Sequence, residues 1–165
     1  LLKGLNDGEL DHFIDYVAHK PLSLRFIELM RTGGNQDYFK EHHLPGEAVT
    51  ERLLARGWSV LPRKEGAGPA IEFEHPESLG RIGLIAPYSK DFCKTCNRLR
   101  VSAKGALHLC LFGEGGYSLR NYLQQDDQIE ELQEKILQLM NFKRETHFLH
   151  QGDSGATPHL ASIGG

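Results

Sequence analysis

Cysteine is scarce in this chain: three among 165 residues. The odd number leaves one thiol over in any disulfide scheme, so spacing is more informative than count. No run of about 18 apolar residues exists, which excludes a transmembrane helix by hydropathy. Neither sign of charge dominates. Nineteen Lys and Arg face 22 Asp and Glu, for a net charge of −3. Nothing in that balance calls for nucleic acid or an anionic membrane, and any anion site must be local. A signal peptide and an initiating Met are both missing, and the opening residues 1–7 start abruptly, so the chain is expected to be a fragment. With 39% hydrophobic and 25% charged residues, collagen-like, mucin-like and wholly disordered chains are excluded as well. What remains is one globular domain, or one and a fraction, long enough to bury a sizeable core.

The periodicities predict an α/β order. Residues 1–5 read as the end of a strand. Asn6 then acts as an N-cap, with Glu9 completing a capping box. Leu10, Phe13, Ile14 and Val17 form the stripe of an amphipathic helix. Residues 22–30 are almost unbrokenly apolar, which predicts a strand covered on both faces, as in a parallel sheet. Strand end, helix and buried strand make a βαβ unit. Residues 31–37 read as a loop, and His42-His43 as exposed. A helix is expected over 45–56, with Val49, Leu53 and Leu54 inward and Gly57 as its stop. Short strands at 58–61, 70–74 and 81–86, without helices between them, predict an antiparallel meander. A second long helix is expected from about 127, using Ile129, Leu132, Ile136, Leu139 and Met140. The tail from Gly152 is rich in small residues and is expected to be mobile.

The stretch 91–112 carries the chemistry. Cys93-x2-Cys96 offers two thiolates to one metal on a tight turn. Cys110 follows, separated from Cys96 by 13 residues that read as a hairpin. A three-residue loop, Ala103-Lys104-Gly105, places Gly105 where φ is positive. Ser102 then faces Ala106, Arg100 faces His108, and Arg98 faces Cys110, so both arginines share a face with the third cysteine. A two-residue Lys104-Gly105 turn would instead put Cys110 opposite Leu99. Three Cys without an obvious fourth ligand suit a 4Fe–4S cluster with one iron open. Two guanidiniums beside it suit a phosphate or carboxylate. Spacing alone equally allows a Cys3His zinc site with His108. A Cys93–Cys96 disulfide and merely solvated arginines are the plainer alternatives. Arg25, inside the apolar run 22–30, is either functional or paired with a carboxylate such as Glu28 or one on a neighbouring element. Met30 stands at the C-terminal end of that strand, where ligands bind in α/β sheets.

Cys93-x2-Cys96-Asn97-Arg98-x-Arg100, followed by Cys110-Leu111-Phe112, resembles the C-terminal cluster motif of the GTP 3′,8-cyclase family. These radical S-adenosylmethionine enzymes open molybdenum cofactor (molybdopterin) biosynthesis. Residues 24–30 (LRFIELM), 3–7 (KGLND) and the terminal Ile163-Gly164-Gly165 match as well, in the family's order. The resemblance implies that Cys93, Cys96 and Cys110 hold an auxiliary 4Fe–4S cluster whose open iron takes the guanine of GTP. It implies that Arg98, Leu99 and Arg100 clamp the triphosphate and that Arg25 contributes to the GTP pocket. Met30 would help hold S-adenosylmethionine, and Gly164-Gly165 would reach into the active site. The family reaction uses a 5′-deoxyadenosyl radical to join C3′ of the ribose to C8 of the purine.

One departure stands out. The family's CxxxCxxC motif, which binds the radical-generating 4Fe–4S cluster, does not occur here. The implied architecture is the last part of an incomplete TIM-like barrel (1–33), then an α+β domain with antiparallel strands carrying the iron–sulfur site (34–151), then a mobile tail (152–165). The expected partners are GTP and the missing N-terminal half. A second copy could dock through apolar barrel surface, whereas nucleic acid and membrane are not expected. The expected compartment is the cytoplasm, and the piece alone is expected to be inactive. Two other readings are a zinc-stabilised binding module without catalysis and the auxiliary-cluster domain of a peptide-modifying radical enzyme.

Overall fold

A computed structural model describes residues 1–94, 96–156 and 159–163. The chain is mixed α/β and forms two compact units, Leu1–Met30 with Asp37–Thr95, and Arg31–Gln36 with Cys96–Gly165. Compactness therefore divides the chain near residue 95, whereas the boundaries expected at 33 and 151 were drawn by role.

The first unit is built on a four-stranded sheet of order β1-β4-β3-β2. Its strands are β1 (Ser23–Ile27), β2 (Ser59–Val60), β3 (Ile71–Glu74) and β4 (Arg81–Ile85). β1 runs parallel to β4, and β2, β3 and β4 form the expected antiparallel meander. Helices α1 (Leu10–Ala18) and α3 (Gly46–Ala55) contribute Ile14, Val17, Val49 and Leu53 to a core shared with Phe26, Phe73, Ile82 and Leu84. Phe73 and Ile82 are fully buried, and each such side chain contributes about 1.5–3 kcal/mol. Ion pairs from Asp11 to Arg52 and Arg56, and from Asp15 to Arg56, tie the outer surfaces of the two helices together.

Several local expectations are corrected. Residues 1–5 form no strand end, and residues 3–6 make a turn. Asn6 makes no side-chain cap bond. Its Oδ1 accepts the Leu2 N–H at 2.7 Å instead, closing the turn that precedes a 3-10 segment at Asp7–Glu9 and then α1. The strand at 22–30 is shorter than its apolar run. Among the described residues β1 pairs with β4 alone, at the sheet edge. Phe26 is buried, whereas Arg25 and Ile27 are exposed, so only one face is covered. The reason is topological: α1 and α3 both lie against β4 on the Phe26 side, and hydropathy does not say how many faces a neighbour will cover. Residues 36–42, expected to begin as loop, form helix α2 (Gln36–His42). Leu54 is half exposed, although Val49 and Leu53 point inward as expected.

The second unit holds a three-stranded antiparallel sheet, β5 (Arg100–Val101), β6 (Ala106–His108) and β7 (Tyr117–Ser118), with helix α4 (Ile129–Met140). Leu107, Leu109, Leu119 and Leu139 form its small core, backed by Leu99, Leu132 and Ile136. Ile129 and Met140, expected inward, are exposed. The 3-10 turn Asp126–Gln128, closed by a reciprocal Gln125–Gln128 capping box, starts the helix and rotates its stripe. The described residues of the tail make two contacts of note. The Ala156 N–H donates to the Gly113 carbonyl at 3.1 Å, and Ile163 is buried. Gly155 has φ +64° and packs against the Phe112 and Gly113 carbonyls, so a Cβ there would overlap main-chain oxygen.

Candidate functional site

The site is organised by the β5–β6 hairpin. Gly105 has φ +72°, the left-handed conformation the three-residue loop requires. The Ser102 N–H donates to the Ala106 carbonyl at 2.9 Å. Arg100 lies opposite His108 and Val101 opposite Leu107. The longer-loop register is the one adopted, and the two-residue alternative is not.

This register gathers charge. Arg98, Cys96 and Cys110 all act on Arg100, whose guanidinium is lowered from its ordinary range by burial and by repulsion from Arg98, against the attraction of the two sulfurs. Burial pushes the Cys96 thiol up, but the Arg98 main-chain N–H and the charges of Lys143 and Arg98 outweigh it, and the net shift is downward. A lowered thiol is the form that ligates metal and reacts. His108 is lowered by burial and by Arg100, so it is neutral at pH 7, and its ring lies against Gly116. All three cysteines are free and partly buried, which leaves no disulfide between Cys93 and Cys96. The Phe112 N–H points at the Cys110 sulfur at 3.5 Å. Among the described residues, no three His, Cys, Asp or Glu side chains are grouped closely enough to hold a metal ion. As donors, three free thiols, one of them biased toward thiolate, fit iron or zinc.

A cleft of about 470 Å³ opens beside Cys110, walled by Phe112, Tyr117, Phe142 and Phe148. Arg144 also lines it, paired with Glu114 at 2.7 Å and lying over the Phe148 ring. His147, 5% exposed, forms the floor, and its Nδ1 accepts the Leu149 N–H at 3.3 Å.

The other predicted residues fall elsewhere. The Leu99 side chain packs against the second unit's core. Arg25, in the first unit, pairs with Glu72 at 3.0 Å. The two are two strands apart in one row, with Gly83 between them. A Cβ on Gly83 would meet both partners, so the missing side chain is what lets the pair reach across. Met30 lies just beyond β1 and is partly buried. Cys93 belongs to the first unit and Cys96 to the second. Gly164 and Gly165 lie outside the described residues.

Two features escaped the sequence. Lys143 meets the hairpin from the far end of the chain, and nothing in its neighbourhood signals that. His43, expected to be exposed, bonds the buried Glu28 carboxylate at 2.9 Å, stacks on Phe39 and meets Tyr88 edge to face. A buried acid demands a donor, and a Glu within an apolar run was the available clue.

No helix among the described residues is long and apolar enough to cross a membrane. Residues 22–149 match the family described as Molybdenum Cofactor Synthesis C. The whole chain is 59% identical to the GTP 3′,8-cyclase of Stenotrophomonas maltophilia (strain R551-3), covering 51% of that protein. It is 58% identical to the GTP 3′,8-cyclase of Tolumonas auensis and 54% to that of Vibrio parahaemolyticus, covering 49% of each. The chain thus spans about half the length of these curated relatives. A match over well more than half of its residues, with the cysteine hairpin inside it, establishes that the chain belongs to the Molybdenum Cofactor Synthesis C family.

Proposed function

We propose that this chain is the substrate-side half of a GTP 3′,8-cyclase acting in the first step of molybdopterin synthesis. Together with a radical S-adenosylmethionine half, the enzyme would convert GTP to (8S)-3′,8-cyclo-7,8-dihydroguanosine 5′-triphosphate. Cys93, Cys96 and Cys110 hold a 4Fe–4S cluster. Bound there, the cluster supplies an open iron as a Lewis acid for the guanine. Arg98 and Arg100 pair with the triphosphate, with the Leu99 main chain between them. Arg25 adds to the GTP pocket, exchanging Glu72 for phosphate. Met30 helps hold S-adenosylmethionine, Gly164-Gly165 reach toward the substrate, and the CxxxCxxC cluster belongs to the other half.

The observation that carries this reading is the close placement of two guanidiniums beside two thiols on one hairpin. Like charges held together repel, and an anion relieves the repulsion while gaining bidentate hydrogen bonds. The thiols and arginines therefore fit two ends of one ligand, a metal-binding base and a phosphate chain. The sheet face opposite α1 and α3, with Arg25 and Ile27 exposed, supports the barrel reading, since a barrel's inner wall is the helix-free side of its strands. A second copy would dock through apolar barrel surface that the other half would otherwise cover. The proposed compartment is the cytoplasm, and neither nucleic acid nor a membrane is a proposed partner.

The chain is reconstituted without oxygen with iron and sulfide, and EPR spectra are recorded with and without GTP. A cluster signal that shifts on GTP addition is the expected result. A chain that takes up zinc alone and ignores GTP would overturn the reading in favour of a structural metal module. Cyclase turnover by this chain alone would overturn the division of labour between halves.

A further inference from the structure

The hairpin that carries Arg98, Arg100 and Cys110 is paired over a short length, and its arms run on past the ladder. β5 begins at Arg100 and β6 ends at His108. Beyond those residues the arms lead back to Cys96 and forward to Cys110, and among the described residues no strand pairing holds them. The Lys143 ammonium stands at this open end. It donates to the Arg98 carbonyl at 2.9 Å and the Leu109 carbonyl at 2.5 Å, and lies 4.0 Å from the Cys96 sulfur.

We propose that Lys143 is a positioning residue for the thiol-bearing hairpin, clamping its two arms through the Arg98 and Leu109 carbonyls and setting a fixed positive charge beside the Cys96 sulfur. Three acceptors converge on one ammonium, and lysine is the side chain with three donors on a single atom. A guanidinium would spread its donors over a plane and could not meet all three. The lysine is itself held in register. It follows α4 directly, its main-chain N–H donates to the Met140 carbonyl at 2.9 Å, and the neighbouring Leu139 is buried in the unit's core. Packing of α4 therefore sets where the ammonium sits. Holding a partly buried ammonium costs desolvation, which the charged hydrogen bonds offset. The part of the inference that concerns metal rests on the proposed cluster site. A fixed cation beside a ligating sulfur favours the reduced, more negative state of a bound cluster and so raises its potential.

The test compares Lys143→Met and Lys143→Arg with the parent chain. In metal-free protein, exchange of the Arg100 and His108 amides, the hydrogen-bonded rung nearest the clamp, is expected to speed up about tenfold in both variants, the scale of losing one charged hydrogen bond. After anaerobic reconstitution, Lys143→Met is expected to take up less iron and to show a lower midpoint potential. Lys143→Arg is expected to keep the potential near the parent's, because the charge remains. Unchanged amide exchange in both variants would overturn the clamp, and equal potentials for parent and Lys143→Met would overturn the charge effect. If Lys143→Met does not fold, Lys143→Arg decides the clamp by the same exchange measurement. A parent chain that takes up no cluster would sink the cluster reading, and the exchange experiment would still judge the clamp.

Discussion

The two units place charge differently, although both hold ion pairs, Arg144 with Glu114 in the second among them. In the first, cations meet carboxylates: Arg25 pairs with Glu72, Arg52 with Asp11, and Arg56 with Asp11 and Asp15. In the second, the charges bearing on Arg100 are those of Arg98 and the Cys96 and Cys110 sulfurs, and Lys143 stands on main-chain carbonyls beside Cys96. The apolar cores differ in the same sense. Among the described residues, eleven buried side chains form one cluster in the first unit, whereas four form the cluster behind the hairpin of the second. A fold that needed only stability would not hold like charges together. The second unit holds Arg98 close enough to repel Arg100 on its hairpin, whereas the arginines of the first unit sit against carboxylates.

The largest effect expected from breaking this contrast is in the first core. Phe73→Ala removes a fully buried ring and should destabilise the first unit by about 3–5 kcal/mol, read as a lowered denaturant midpoint. The hairpin's own amide protection should change far less. Equal loss of protection in both units would show that they unfold as one body.

Next comes the arginine pair of the hairpin. Arg100→Ala should weaken GTP binding about tenfold to a hundredfold, the range for a charged hydrogen bond to phosphate, while chain stability holds or rises as repulsion from Arg98 disappears. Calorimetric titration with GTP and thermal melts of both proteins check this. A loss of stability without a loss of affinity would make Arg100 structural.

The smallest effect concerns a compensated pair. The Asp11 carboxyl is held at about 2, below its ordinary 3.8, chiefly by the Arg52 hydrogen bond, with partial burial opposing and Arg56 adding to it. Its folded value lies below its unfolded one. The contribution to stability is therefore complete above about pH 4 and is lost as the pH falls toward 2. Asp11→Asn should flatten the acid limb of the stability curve in that window, by an amount that shrinks in salt because the pair is open to solvent. An unchanged acid limb would show the pair to be energetically silent.

Much of the site was legible because it is local. Gly105, three residues after Ser102, dictates a turn, and the turn dictates that Arg100 faces His108. The free thiols and the meander of β2, β3 and β4 followed from spacing and from the Gly and Pro residues between strands. Helix α3 was legible for the same reason, since its apolar positions recur within a few turns. Failures came where a segment's environment is made by distant chain. The apolar run at 22–30 marked a strand, but only α1 and α3 gathering on one side of β4 decided that Arg25 and Ile27 stay exposed. Asn6 had the chemistry of a cap, yet its oxygen went to Leu2, the nearer donor once the opening turn had closed.

Sequence alone therefore determined the short-range terms: turn conformations, helical stripes, and which residue types lie on one hairpin face. These depend on φ and ψ preferences over a few residues and survive in almost any context. Tertiary structure alone decided who partners whom. Glu72 reaches Arg25 across 47 positions and Lys143 reaches the Cys96 arm across the same span, because ion pairs and hydrogen bonds form wherever packing of the core returns the chain, and that return is written in no local pattern.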